Sequence, residues 1–226
     1  MRKKIILTPR PSKISFIRLF EKLIKESEPF DTILDCASAG AKNIRFFQRK
    51  RYFGIDINKA IVEASNNMHN SDPNIQLYHD DVLDFQSKVK ELNFDLVVST
   101  HTIGWIKNEK KMLAIKNLID RVKIGGDFIF QCTNAEQQYL GEISKYFNST
   151  VIYPYRGLGS QLYEKLLQWF FGTNNVGGLG SKVRFPLDKQ ILLFVNLMSN
   201  VLAMGDRFIH PDHYLIHYRG KVDIAC

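Results

Sequence analysis

Apolar residues recur along the chain with two different spacings. Between residues 11 and 24 they return every three or four positions, which predicts an amphipathic helix. From residue 32 onward, short apolar runs alternate with further segments of helical spacing. The runs are typical of buried strands. The predicted strands are Thr32–Cys36, Tyr52–Asp56, Ile75–Tyr78, Phe94–Ser99 and, after a Gly125–Gly126 turn, Phe128–Cys132. The predicted helices that follow them are Asn43–Lys50, Lys59–Asn66, Lys110–Arg121 and Ala135–Phe147.

This strand and helix alternation determines the predicted fold class. Consecutive strands joined by helices form parallel sheets that are covered by helices on both faces. Two later apolar runs, Thr150–Tyr153 and His213–Tyr218, bring the expected number of strands to seven. The chain is therefore predicted to be an α/β protein with a Rossmann-like, doubly wound and mostly parallel sheet.

The alternation breaks after residue 154. Leu162–Phe171 and Leu187–Met204 have helical spacing, and the glycine-rich stretch Gly172–Gly180 between them predicts a mobile loop. We expect one domain over residues 1–226, with a basic N-terminal helix arm at 1–30 and a nucleotide-binding core at 31–154. The same domain is expected to include a helical cap insertion at 155–208 and a final strand and tail at 209–226.

Charge and cysteine content narrow the functional classes. The 226-residue chain has a formal net charge of +8, and its first 30 residues hold 8 basic and 3 acidic side chains. An excess that lies mainly in one arm favours a solvated basic face over a nucleic-acid docking surface. Cys36, Cys132 and Cys226 form neither a CxxC pair nor a zinc-spaced cluster. We expect a reduced, cytoplasmic protein without a structural metal, a signal peptide or a membrane span.

Polar residues stand where the first four predicted strands end. Open parallel sheets bind ligands beyond the carboxyl ends of their strands, where the strand order reverses. Strand one ends at Asp35 and the loop Ala37-Ser38-Ala39-Gly40-Ala41, strand two at Asp56, strand three runs into Asp81, and strand four ends at Ser99, Thr100 and His101. The sequence therefore predicts a ligand site that draws on all four ends.

In order, these four ends resemble the motifs of class I S-adenosylmethionine-dependent methyltransferases, in particular their small-molecule branch. The resemblance runs from Thr32 to Cys132 and includes the Lys-x-Gly-Gly turn before the fifth strand. It implies S-adenosyl-L-methionine as cofactor and S-adenosyl-L-homocysteine as product. The cofactor-binding residues it implies are Asp35, Ala37, Ser38, Ala39, Gly40, Asp56, Ile57, Asp81, Val82, Ser99 and Thr100.

Individual roles follow from the resemblance and from side-chain chemistry. A short carboxylate at a strand end, Asp56, suits both ribose hydroxyls. Asp81 and the Val82 backbone N–H would hold the adenine ring, and Asp80 is the alternative if the register shifts by one residue. Asp35 either orients the loop or meets the methionine amino group, and a purely loop-stabilising role remains open.

The nucleotide loop departs from the family pattern. Where three glycines are usual, the chain has Ala37, Ala39 and Ala41, and its only glycine is Gly40. Glycine allows a positive φ and a close backbone approach, so each added methyl group lowers cofactor affinity unless the loop conformation is ordinary. The chain also lacks an intact G-x-G-x-x-G motif, which argues against a dehydrogenase.

Methyl transfer is a displacement that depends mainly on positioning, and a base is needed only when the acceptor carries a proton. His101 is the candidate base in the core, and Tyr155, His210 and His213 compete from the C-terminal region. Arg156 is a candidate anion clamp, and Trp105 a candidate acceptor contact.

The expected acceptor is a small molecule, a sugar or a lipid-linked compound, methylated at oxygen. Strand four lacks an Asn-Pro-Pro-Tyr motif, which disfavours transfer to base amino groups and makes nucleic acid an unlikely partner. The apolar cap and the basic arm leave peripheral membrane contact open. Two alternatives also stay open: a non-catalytic S-adenosylmethionine-binding or nucleoside-binding protein, and an RNA methyltransferase recruited through the basic arm.

Overall fold

The computed structural model describes residues 11–38, 40–171, 197–204, 206 and 210–223. The predicted loop Gly172–Gly180, the first part of the predicted helix Leu187–Met204, residues 1–10 of the basic arm, and Ala39 lie outside these residues. Within them, each of the five strands predicted up to residue 133 is present. The α-helices are α1 (Pro11–Glu26), α2 (Lys59–His69), α3 (Asn108–Asp120), α4 (Leu140–Ser144) and α5 (Leu158–Phe171), and residues 197–204 are also helical. The strands are β1 (Thr32–Cys36), β2 (Arg51–Asp56), β3 (Ile75–His79), β4 (Phe94–Ser99), β5 (Val122–Thr133), β6 (Phe147–Arg156) and β7 (His213–Lys221).

The seven strands form one sheet in the order β3-β2-β1-β4-β5-β7-β6. Strands β1 to β5 pair in parallel, with Cys36 opposite both Ile55 of β2 and Ser99 of β4. The order reverses between β1 and β4, because the chain first builds outward through β2 and β3 and then returns to the other side of β1. The predicted Rossmann-like fold class is confirmed, and β1 and β4 have the predicted bounds.

The chain divides into two compact units. The first comprises residues 1–20 and 153–214, and the second comprises residues 21–152 and 215–226. The second unit contains β1 to β5, and every residue in the strands β1, β2 and β4 is buried except Arg51 and Asp95. Such continuous burial is expected of parallel strands that are covered on both faces.

The predicted helix Asn43–Lys50 is wrong. Only a single 3-10 turn, Ile44–Phe46, forms there. The chain then turns sharply, since Arg49 adopts a left-handed φ of 64° directly before β2. Only 14 residues separate β1 from β2, and the loop after β1 uses the first seven of them, which leaves no room for a full crossover helix.

The predicted Gly125–Gly126 turn before strand five is also wrong, because β5 runs through both glycines. Phe94 of β4 pairs with Val122 and Leu96 pairs with Asp127, so β5 advances five residues while β4 advances two. Gly125 has a φ of 79°, which a residue with a Cβ rarely adopts. The glycines therefore form a bulge inside the strand.

None of the described helices is long and apolar enough to cross a membrane. Within the same residues, no group of three or more His, Cys, Asp or Glu side chains is placed to hold a metal ion. Cys36 and Cys132 are buried as free thiols.

Candidate cofactor and acceptor site

The site is built where β1 and β4 separate at the carboxyl edge of the sheet. Ligands of doubly wound sheets bind at this point, since the loops that leave the two strands run in opposite directions and open a crevice. The strand ends predicted to carry chemistry all belong to the second unit. They lie on neighbouring strands of the order β3-β2-β1-β4.

Asp35, near the end of β1, is fully buried and held by two side chains. The Tyr52 hydroxyl donates to Asp35 Oδ2 at 2.5 Å, and Asn43 Nδ2 donates to the same oxygen at 3.2 Å. Asn43 Nδ2 also lies 3.4 Å from Thr100 Oγ1, which follows β4. Burial raises the pKa of Asp35 to about 7, although both hydrogen bonds act to lower it. The carboxyl group thus ties β2, the loop after β1 and the end of β4 together.

The nucleotide loop has the unusual backbone that glycine normally provides. Ala37 has a φ of 56° and Ala41 a φ of 58°, next to 83° for Gly40. A left-handed conformation costs an L-residue roughly 1–2 kcal/mol. Ala37 and Ala41 are therefore held in a strained conformation, in contrast to an ordinary loop.

Ser38 anchors this loop on β2. Its backbone N–H donates to the Ile55 carbonyl at 2.9 Å. A Cβ atom on Gly54 would lie 2.8 Å from the Ser38 hydroxyl and 2.6 Å from Leu77, closer than packed atoms allow. Glycine at position 54 is what lets the loop rest directly on the strand.

Asp56 ends β2 and lies at the boundary of the buried core, 9% exposed. Its Oδ1 accepts from the Asn58 backbone at 2.9 Å, which fixes the carboxylate at the start of α2. Ile57, the next residue, is 69% exposed. A carboxylate beside an exposed apolar side chain can hydrogen-bond a ribose while the apolar group covers a flat ring.

The two aspartates after β3 have different environments. Asp80 is buried, and its carboxylate accepts from the backbone N–H groups of Asp81, Gln86 and Ser87 at 2.9–3.0 Å. Asp81 is partly exposed, and its Oδ1 accepts from Leu83 at 2.9 Å. Asp80 therefore folds the loop, whereas Asp81 is the more accessible carboxylate.

The end of β4 presents further polar groups at the switch point. Ser99 is 1% exposed, and its hydroxyl has no hydrogen-bond partner among the described residues. Buried hydroxyl groups are rarely left unpaired, so a polar ligand atom is a natural partner for it. His101 follows with an exposed side chain and a φ of 59°, and its N–H donates to Gln131 Oε1 at 2.5 Å.

Trp105 closes the 3-10 turn Ile103–Trp105 after β4 and is 88% exposed. Ile103 of the same turn is buried and anchors it. An indole group held outward on an anchored turn is unusual, because tryptophan normally buries most of its surface. It is a ready contact for the flat or apolar face of a ligand.

The remaining candidates belong to the first unit. Tyr155 is 2% exposed and its ring contacts His213 edge-on. Arg156 donates to Asp212 at 2.6 Å, and His213 Nδ1 lies 2.9 Å from the other oxygen of that carboxylate. His210 is exposed with a φ of 45°. The structure thus brings Tyr155, Arg156 and His213 into one cluster.

Sequence reasoning missed three residues that organise the strand ends. The sequence pattern predicts a helix at Asn43 and a strand at Tyr52, and it assigns no role in the site to either residue or to Gln131. The available signal was the pairing register, because Tyr52 and Asp35 are diagonal neighbours on adjacent strands, Tyr52 opposite Ile33 and Gly54 opposite Asp35.

Comparison with known proteins agrees with this geometry. A family model described as a methyltransferase domain matches residues 33–126, which include all four strand ends. A search of curated protein sequences finds no significant match.

Solved structures of similar architecture share little sequence with the chain. The N-methyltransferase NodS from Bradyrhizobium japonicum WM9 has a TM-score of 0.54 at 14% identity, covering 93% of this chain and 97% of that chain. A SAM-dependent methyltransferase from Archaeoglobus fulgidus has a TM-score of 0.54 at 12% identity, covering 92% and 94%. The MccD protein also gives 0.54 at 12% identity, covering 95% and 100%. NodS has also been solved with S-adenosyl-L-homocysteine.

The fold and the strand order are those of a Rossmann-like α/β protein, in which ligands bind in a crevice at the switch point. With the family match over residues 33–126, this part of the chain is a methyltransferase domain.

Proposed function

We propose that the chain transfers a methyl group to a hydroxyl oxygen of a small-molecule or sugar acceptor that contacts Trp105. The exposed indole on an anchored turn, four residues after His101, carries this proposal. Aromatic rings favour apolar and flat ligand faces, including those of sugar rings, while the polar groups around them set orientation.

The cofactor residues are part of the same proposal. Asp56 accepts from the ribose hydroxyls, and Ile57 covers the adenine ring. Asp81 receives the adenine amino group, since the Asp80 carboxylate already accepts three backbone N–H groups. Ser99 offers its buried hydroxyl to the methionine portion.

The bound cofactor supplies a methyl group on a positively charged sulfur. Methylation of an acceptor hydroxyl would release its proton, which a nearby base would have to accept. We assign this proton to the His101 imidazole, since its side chain is exposed at the end of β4. Trp105 holds the acceptor so that its oxygen is aligned with the methyl carbon, which is the larger part of such catalysis.

Labelled methyl transfer tests the acceptor chemistry. Pairs of sugars that differ only in a hydroxyl or an amino group are offered with methyl-labelled cofactor, and the product is located by mass spectrometry. We expect label on oxygen. Transfer to the amino sugars alone would show that the acceptor atom is nitrogen.

Two variants test the residues. Trp105→Ala should raise KM for the acceptor at least tenfold with little change in the Kd for S-adenosylhomocysteine, and Leu113→Ala, an exposed apolar residue of α3, is the matched control. His101→Gln should lower kcat and flatten the pH–rate profile. An unchanged profile would remove His101 as the base.

Asp56→Ala tests the cofactor site separately. Loss of a carboxylate that accepts from two hydroxyls should weaken S-adenosylhomocysteine binding at least tenfold in a calorimetric titration. Asp84→Ala, which removes an acid from the same edge of the sheet, is the control. Unchanged affinity in Asp56→Ala would mean that the ribose lies elsewhere.

A further inference from the structure

A second cavity lies at the opposite edge of the sheet from the cofactor residues. Its volume is about 270 Å³, and it is formed where the chain enters β2 and β3. Its walls come from the 3-10 turn after β1, the end of α2 and the first residues of the two strands. The lining residues are Ile44, Arg45, Phe47, Gln48, Arg49, Lys50, Tyr52, His69, Asp72 and Ile75.

The cavity adjoins the cofactor site at Tyr52, whose hydroxyl donates to Asp35, but it opens at the amino ends of the strands. Tyr52 lines it near the amino end of β2, and Asp56 ends the same strand four residues later. At a rise of about 3.3 Å per residue, these positions are roughly 13 Å apart. All of the lining residues belong to the second unit.

Positive charge surrounds the mouth of this cavity. Arg45, Arg49 and Lys50 line it, against the single carboxylate of Asp72. Arg45 and Arg49 are exposed, and neither forms an ion pair with any residue that the structure describes. The Arg45 guanidinium lies over the Phe46 ring, 4.6 Å from its centroid, and keeps its N–H donors at the surface. Lys50 donates to the Phe30 carbonyl at 2.5 Å, and its ammonium lies 4.7 Å from the centroid of the Phe30 ring.

The local backbone places these cations together. Arg49 has a left-handed φ of 64°, which is uncommon for a residue with a long side chain. The turn reverses the chain between Arg45 and β2, so that side chains from both ends of the turn reach one cavity. Cations gathered in this way without an ion-pair partner among the described residues repel each other, and an anion relieves that repulsion.

The floor of the cavity is apolar. Phe47 and Tyr52 are buried, and Ile44 and Ile75 are partly buried. The Phe47 and Tyr52 rings pack with their centroids 5.9 Å apart. A ligand that fits both parts of the cavity carries an anionic group for the rim and an apolar group for the floor.

We propose that this cavity is a binding site for a small phosphate ester, with Arg45 and Arg49 holding the phosphate and the organic group resting on the apolar floor. Guanidinium groups present paired N–H donors that match phosphate oxygens, and such charge-assisted bonds are about twice as strong as neutral ones. The site is independent of the methyl acceptor.

Phenyl phosphate and inorganic phosphate are the probes, titrated calorimetrically into the protein with S-adenosylhomocysteine kept saturating so that the cofactor site is filled. We expect phenyl phosphate to bind several-fold more tightly than inorganic phosphate. The double variant Arg45→Gln/Arg49→Gln should raise the Kd for phenyl phosphate at least tenfold.

Two single variants sharpen the test. Arg51→Gln removes the same charge from the same segment, but Arg51 does not line the cavity. The Kd of this variant for phenyl phosphate should therefore differ less than twofold from that of the wild type. Asp72→Asn removes the opposing carboxylate and should tighten binding. Circular dichroism confirms that each variant is folded.

Three results would overturn the proposal. The first is no binding of either probe at millimolar concentration. A second is an equal loss of affinity in Arg51→Gln and in the double variant, which would indicate a diffuse basic surface. The third is tighter binding of single-stranded RNA than of phenyl phosphate, with the RNA affinity equally sensitive to substitution of Arg45, Arg49 and Arg51. That result would indicate a surface for polyanions in place of a cavity site.

Discussion

Replacing Ala37 by glycine should stabilise the protein, although the same substitution in a helix destabilises proteins. Ala37 has a φ of 56° and is only partly buried. Relief of the left-handed conformation is worth roughly 1–2 kcal/mol. The greater freedom of glycine in the unfolded chain offsets about 0.5–1 kcal/mol of this. The net gain in the free energy of unfolding is therefore about 0.5–1 kcal/mol.

Ala64 offers a matched control. It is exposed in the interior of α2, where glycine lowers stability by about 1 kcal/mol. The two variants lose the same methyl group, so their difference of roughly 1.5–2 kcal/mol reports the backbone conformation alone. Ala41, also left-handed, is 3% exposed, and the lost burial of its methyl group reduces the expected gain there.

Urea denaturation followed by circular dichroism measures both values, and a thermal scan provides a second readout. For a chain of this size, 1 kcal/mol corresponds to about 2–4 °C in Tm. We expect Ala37→Gly to raise Tm and Ala64→Gly to lower it. If Ala37→Gly lowers stability as much as Ala64→Gly, the loop does not hold Ala37 in a left-handed conformation and the reasoning is refuted.

Three further predictions concern buried carboxyl groups. Burial raises the pKa of Asp35 from 3.8 to about 7. The contribution of this carboxyl group to stability is therefore present below pH 3.8 and lost as the pH rises through 7. In urea denaturation, Asp35→Asn should gain stability relative to the wild type as the pH rises from 5 to 8. Lys111 pairs with Glu136 at 2.5 Å in the core, and Lys111→Met should lower the unfolding free energy by about 3–5 kcal/mol, since it leaves a buried carboxylate unpaired. Asp80→Ala removes the acceptor of three backbone N–H groups and should lower the unfolding free energy by roughly 2–4 kcal/mol, whereas Asp81→Ala should weaken S-adenosylhomocysteine binding in calorimetry with a smaller effect on unfolding.

Each of these predictions has a contrary outcome. A stability difference for Asp35→Asn that is the same at pH 5 and pH 8 would mean that the carboxyl group titrates normally. A loss below 1 kcal/mol for Lys111→Met would mean that water reaches Glu136. Equal effects of the Asp80 and Asp81 variants on both measurements would mean that the two carboxylates do not divide folding and binding between them.

The strand ends were predictable, while the loops between them were not. β1 and β4 have the predicted bounds because short apolar runs in a parallel sheet are buried on both faces and leave a continuous hydrophobic signal. The predicted helix Asn43–Lys50 failed because its helical spacing of apolar residues was overridden by the short distance to β2. The glycines at 125 and 126 were read as a turn, since a bulge inside a strand has the same local sequence signal.

The chain order of Asp35, Asp56, Asp81 and Ser99 was sufficient to predict a ligand site on an α/β sheet, because strand polarity places these residues at one edge of the sheet. The prediction of methyl transfer rested on the resemblance of these strand ends to a known family. Tertiary structure decided how each of them is used. Only packing buries Asp35 against Tyr52 and Asn43, directs the Asp80 carboxylate at the backbone and holds Ala37 in a left-handed conformation. Sequence patterns record which residues are near in the chain or share a face. Pairing across the β1–β4 switch point and desolvation depend on residues distant in sequence, so they appear only when the sheet is assembled.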